Sequence, residues 1–137
     1  RVADGTLHTA PDDGSDETRA AIMGRDVADI VTGAAPDVIA LERWAFYPRA
    51  EATTAHALGL VIGAVIALLP ARIEVVTLRA ADTRTTLGLR GGATKDEVFA
   101  RVVAMGIDGG RSEHSRDALA IAVAGSLRAE TLRCAKR

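Results

Sequence analysis

From Ala57 to Leu69 the chain reads ALGLVIGAVIALL, thirteen residues with no charge and no polar side chain, ended by Pro70. A membrane-crossing helix needs about 20 such residues, so this run is a buried helix of a globular protein. Extended back to residue 52, the helix over 52–69 is apolar on almost every side. A helix without a polar face must be covered on more than one side. Its own sheet can cover one side and a second copy of the chain another, and the residues leave both open. Gly59 and Gly63, four apart, allow a second backbone to come close.

The rest of the chain alternates strand and helix signals. GTLHTA (5–10) predicts a short strand, and PDDGSDE (11–17) an acidic turn in which Ser15 or Asp16 can cap the helix beyond it. In that helix Ile22, Val27, Ile30 and Val31 share a face, and Gly33 can close it. PDVIALE (36–42) predicts a strand buried on both faces and ending on Glu42. RWAFYPR (43–49) predicts a loop, RIEVVTL (72–78) a second strand, and ADTRTTLG (81–88) a short helix closed by Gly88. KDEVFARVVAM (95–105) predicts an amphipathic helix with Val98, Val102 and Met105 inward, and SEHSRDALAIAVAG (112–125) opens a last helix anchored by Leu119, Ile121 and Val123. Helices that repeatedly follow strands place the chain in the α/β class, as one domain of 137 residues.

One cysteine, Cys134, excludes an internal disulfide and a cysteine-built zinc site. No leading hydrophobic segment marks the chain for secretion, and it is read as cytoplasmic. The net charge of −1 is unevenly spread. Residues 1–70 hold 5 Lys/Arg against 10 Asp/Glu, net −5, while residues 71–137 hold 12 against 8, net +4. A basic half can attract phosphate while the whole stays near neutral; a mixed solvated surface is the alternative. Aromatic residues are only 3%, yet Trp44, Phe46 and Tyr47 fall within four positions.

Glu42 lies at the carboxyl end of a strand, the edge at which open α/β sheets meet ligands. His114 and Asp117, three apart, share one face at the start of a helix. Two carboxylates with one imidazole suit Mg²⁺ or Mn²⁺. Lys95, first in its helix, can present positive charge to a phosphate or an attacking water. By spacing alone a His–Asp pair at a helix start is more often a cap or a surface pair.

PDVIALE, the apolar glycine-containing helix after it, the lysine before DEV, and HSRDALAIAVA together resemble the RuvC family of Holliday junction resolvases. In that family a strand ends on a metal-binding glutamate, and the last helix carries H-x-x-D-A-L-A-I-A or its aspartate-first form. The resemblance spans roughly residues 5 to 130. It implies a ribonuclease-H-like mixed sheet flanked by helices, and a nuclease that cuts four-way DNA junctions with two Mg²⁺ or Mn²⁺ ions. Matched position by position, Glu42, His114 and Asp117 fall on the metal site, and Lys95 on a basic residue near the scissile phosphate. Arg84 falls on a second basic residue that is commonly lysine. The helix 52–69 matches the family's dimer helix, which implies a homodimer. Phe46, with Trp44 and Tyr47 as alternates, falls in the loop that inserts a ring into the junction, and Arg49 and Arg90 are counted among the DNA-binding residues; a core role for Trp44 stays open.

The chain departs from the family where a hydrophobic strand ending in D-x-G should carry a bridging aspartate. VADGT (2–6) mimics it, but Asp4 stands too near Glu42 and has no strand before it, so it reads as a turn residue. GTLHTA aligns better with the family's third strand. The expectation is that the aspartate strand lies upstream of Arg1; a molecule without it should bind metal poorly and cleave little. Branched-DNA binding without cleavage, or another ribonuclease-H-like nuclease, are the alternative functions.

Overall fold

The structure, a computed structural model, describes residues 5–43, 52–135 and 137. Trp44, Phe46, Tyr47 and Arg49 lie outside the described residues, so the expectations for the aromatic loop do too. The described chain forms two compact units, one holding the strands and the C-terminal helices and the other two long helices.

In the second unit, a 3-10 turn over Pro11–Asp13 leads into α1, Asp16–Ala34. Ser15 caps it, its hydroxyl accepting from the Thr18 N–H. The helix runs past Gly33 and closes on Ala35, which takes the left-handed conformation (φ 45°) while its N–H donates to the Val31 carbonyl. The expected glycine stop is therefore displaced by two residues. Packed on α1 is α2, Ala52–Leu68, where Gly24 meets Ala64. A Cβ on Gly24 would stand 2.9 Å from the Ala64 Cβ and 3.1 Å from its carbonyl carbon, so the crossing requires glycine. Along α2, Leu58, Ile66 and Leu68 are exposed, and Gly59 and Gly63 face open space.

The first unit is built on β1, Val38–Glu42, and β2, Glu74–Leu78, paired in parallel with Val38 opposite Glu74 and Glu42 opposite Leu78. Three helices follow β2: α3, Ala80–Thr86; α4, Lys95–Ala104; and α5, Glu113–Ala135. Val76, Leu78, Leu87, Val102, Ala120 and Ala124 form its core, with Val98, Met105 and Leu119 packed against them. The mixed sheet implied by the resemblance is, among the described residues, two parallel strands. Residues 5–10 form no strand, since no neighbouring strand takes up their backbone hydrogen bonds among the described residues. Nor is β1 fully buried: Val38 to Leu41 are half-covered and Glu42 is exposed.

The buried stripe of α5 also differs from expectation. Ala120, Ala124, Gly125 and Ala129 are buried, whereas Leu119, Ile121 and Val123 are only partly so. Small side chains let the helix axis lie close to β1, and the larger ones flank the contact. Gly88 (φ 77°) ends the α3 turn in the left-handed region, as its position predicts.

Asp82 fixes the start of α3. Its carboxylate accepts from the Arg79 side chain (Nε at 2.9 Å, Nη2 at 3.0 Å) and from the Arg79 backbone N–H at 3.1 Å. The Arg79 side chain, then the backbone bond, hold Asp82 down at about 2. A depressed carboxylate contributes stability that is complete above its unfolded value, about 3.9, and is lost as pH falls towards 2. Carbon-detected NMR should place the Asp82 midpoint near 2, and Arg79→Met should move it most of the way to about 3.9. An unmoved midpoint would show that the backbone bond suffices.

Candidate functional site

The carboxyl edge of the two strands gathers the polar side chains of the first unit. Glu42 ends β1, and the next N–H, that of Arg43, donates to the Leu78 carbonyl at 2.7 Å, so the pairing persists to the edge. α3 starts two residues beyond Leu78, which brings Thr83 and Arg84 to the same place. The first turn of α5 arrives there because Ser112 and Ser115 cap it reciprocally. The Ser112 hydroxyl accepts from the Ser115 N–H at 3.2 Å, and the Ser115 hydroxyl from the Ser112 N–H at 2.9 Å. Lys95 is placed by a similar box at the head of α4. The Thr94 hydroxyl accepts from the Glu97 N–H at 3.3 Å and the Glu97 carboxylate from the Thr94 N–H at 2.6 Å.

Three adjoining cavities result, and Asp117 lines each of them. Glu42, His114 and Asp117 share one of about 330 Å³, with Ala40, Leu41 and Ile121 as its apolar wall. Glu42 and Asp117 line a second of about 250 Å³ together with Thr83, Arg84 and Lys95. The third, about 360 Å³, lies against Lys95, Phe99, Glu113 and Arg116.

Lys95 dominates the local electrostatics. Its ammonium donates to Asp117 Oδ2 at 2.8 Å and to Glu113 Oε1 at 2.5 Å, joining α4 to α5. Asp117 first, and Glu113 second, raise the lysine well above its ordinary value, so it is a fixed cation at any physiological pH. Lys95 in turn holds Glu113 below the usual carboxylate range. With 58% of the lysine side chain exposed, solvent screens the pairs, and they orient side chains more than they stabilise the fold.

The other expected cations are already engaged. Arg84 donates to the Gly91 carbonyl at 3.1 Å while lining the second cavity. Arg90 reaches Glu97 at 3.5 Å, away from these cavities' linings. Two residues that no sequence motif singled out belong to the edge. Arg116 lies over the Phe99 ring at 4.5 Å and donates to the Gly110 carbonyl at 3.2 Å. Glu113 holds Lys95; its only signal in the sequence is its position four residues before Asp117, which puts both on one helical face.

Two carboxylates and an imidazole around one cavity have the donor chemistry of a site for a hard divalent cation. As arranged, no three His, Cys, Asp or Glu side chains among the described residues are gathered into a ligand set. The cation in contact with Asp117 is the lysine.

No sequence profile of a known family matches the chain, and no curated protein matches it in sequence. No helix among the described residues is long and apolar enough to cross a membrane. Among solved structures, Thermus thermophilus RuvC is similar, with 26% identity and a TM-score of 0.74 over 91% of this chain and 75% of that one. T. thermophilus RuvC in complex with Holliday junction substrate is similar too, at 24% identity and a TM-score of 0.71, over 91% and 76% of the two chains. The likeness spans nearly all of this chain, and it shows that the fold is RuvC-like.

Proposed function

We propose that this protein is a structure-selective endodeoxyribonuclease that resolves four-way DNA junctions with Mg²⁺ or Mn²⁺, two ions per site, acting as a homodimer. The observation that carries the reading is the cavity shared by Glu42, His114 and Asp117 at the carboxyl edge of a RuvC-like fold. The junction in the complex of T. thermophilus RuvC supports branched DNA as the substrate class.

Bound divalent ions would supply an acidified water and charge neutralisation at the phosphate. Glu42 and Asp117 offer the oxygen donors, and His114 offers a nitrogen that can hold the ion or take a proton from the water. Lys95 and Arg84, on the rim of the neighbouring cavity, meet the phosphate backbone. Trp44, Phe46 and Tyr47 are assigned to the opened crossover, where stacking on an unpaired base is worth about 1–3 kcal/mol. The exposed apolar face of α2, with its two open glycines, fits a second copy of the chain.

The expected result is nicking of a four-way junction in Mg²⁺ or Mn²⁺, abolished by chelation, with little cutting of linear duplex of the same sequence. Equal cutting of linear, forked and four-way DNA would point instead to another ribonuclease-H-like nuclease. Tight junction binding without cutting in either ion would favour a branched-DNA-binding protein. The lysine on Asp117 and the absence of a gathered ligand set among the described residues favour that second reading.

A further inference from the structure

The geometry points to Glu113 as a positioning residue: it holds Lys95 so that the ammonium can leave Asp117 when a divalent cation arrives there. The inference rests on the metal-dependent reading above and concerns a residue with no place in it. Lys95 donates to Asp117 Oδ2 at 2.8 Å, so the protein's own cation occupies one of the two oxygens that Asp117 could offer a metal ion and offsets the charge of both. Metal and ammonium are then competitors for one carboxylate. A lysine with no other anion within reach would lose its only ion pair on displacement, with water alone to replace it at this half-exposed edge. Glu113 removes that obstacle. It stands one turn before Asp117 on the same helix, and its Oε1 is already 2.5 Å from the Lys95 ammonium. Giving up Asp117 leaves one short charge-assisted hydrogen bond intact, and the ammonium stays within a helical turn of the site.

Lys95 and Glu113 are exposed (58% and 69%), so replacing either probes the site without opening the core. Asp96 lines the same third cavity and is a charge-matched control. Mn²⁺ alone is titrated into the full chain and free Mn²⁺ is read by electron paramagnetic resonance, with thermal midpoints confirming that each variant is folded. Lys95→Met should bind Mn²⁺ at least about fivefold more tightly than the parent. Glu113→Gln should bind at least about fivefold more weakly than Asp96→Asn. In the Lys95→Met background, Glu113→Gln and Asp96→Asn should become equal, because only the lysine couples Glu113 to the ion. If the two are indistinguishable with the lysine present, Glu113 acts by bulk charge alone and the inference is overturned while the metal reading stands. If no variant binds Mn²⁺, Lys95→Met included, both are overturned.

Discussion

Asp117→Asn and Glu42→Gln should each lower metal-dependent junction cleavage by more than about 100-fold while leaving junction binding within a few-fold of the parent. The expected size follows from the proposed role of both carboxylates as ligands of the ion. Changing a residue that merely orients a metal ligand costs about 10–100-fold, and replacing a ligand itself should cost more. Asn and Gln keep the shape and one acceptor oxygen, so Lys95 retains a partner at residue 117 and the first turn of α5 is undisturbed. The side chain of Asp117 is 38% exposed and stands outside the hydrophobic core. Binding should survive because Lys95 and Arg84, the cations proposed to meet the phosphate backbone, remain. Cleavage and gel-shift measurements on the same junction, with thermal midpoints for each variant, separate the two effects. Two variants that cut at the parent's rate would remove Glu42 and Asp117 from the chemistry.

Most elements were legible in the sequence where a local rule fixed them, the stop expected at Gly33 being the exception. Ser15 and Gly88 stand where the structure uses them, because capping and left-handed turns depend on a few neighbouring residues. Strand polarity and helical spacing put Glu42, His114 and Asp117 where a ligand could be met, but it was the resemblance to the RuvC family that joined them into one candidate site. Packing between segments decided the rest. Leu119, Ile121 and Val123 have the hydrophobicity expected of an anchor, yet Ala120, Ala124 and Gly125 are buried, since the distance between α5 and β1 admits only small side chains. Lys95 stands 18 residues before Glu113, and only the docking of α4 on α5 brings their charges together. The strand expected at 5–10 failed similarly, because a segment's own residues supply half of a ladder and a neighbour the other half.

The second large effect is predicted at Gly125, and it should change sign with the residue opposite. A Cβ there would fall well inside van der Waals contact of the Ala40 Cβ, with the Ala40 Cα at 3.4 Å and Leu78 Cδ1 at 4.0 Å. Two opposing terms act on Gly125→Ala. Alanine in a helix interior gains about 0.5–1 kcal/mol over glycine. Overpacking a close contact costs about 1–3 kcal/mol, and here both partners are tied to backbone with no flexible side chain to yield. The clash should win, so Gly125→Ala destabilises the protein, and Gly125→Val does so more. Ala40→Gly removes the opposing Cβ at its own cost, leaving an ordinary contact with the Ala40 Cα. In that background Gly125→Ala should therefore stabilise. Urea unfolding of the four proteins of this cycle should give a coupling of at least about 1 kcal/mol, and additive changes would mean that α5 does not cross β1 at this point. The contact lies two residues from Glu42 on one side and eight from Asp117 on the other. A shift of α5 here must therefore displace the first turn of α5 from the end of β1, and junction cleavage by Gly125→Val should fall even at temperatures where the variant remains folded.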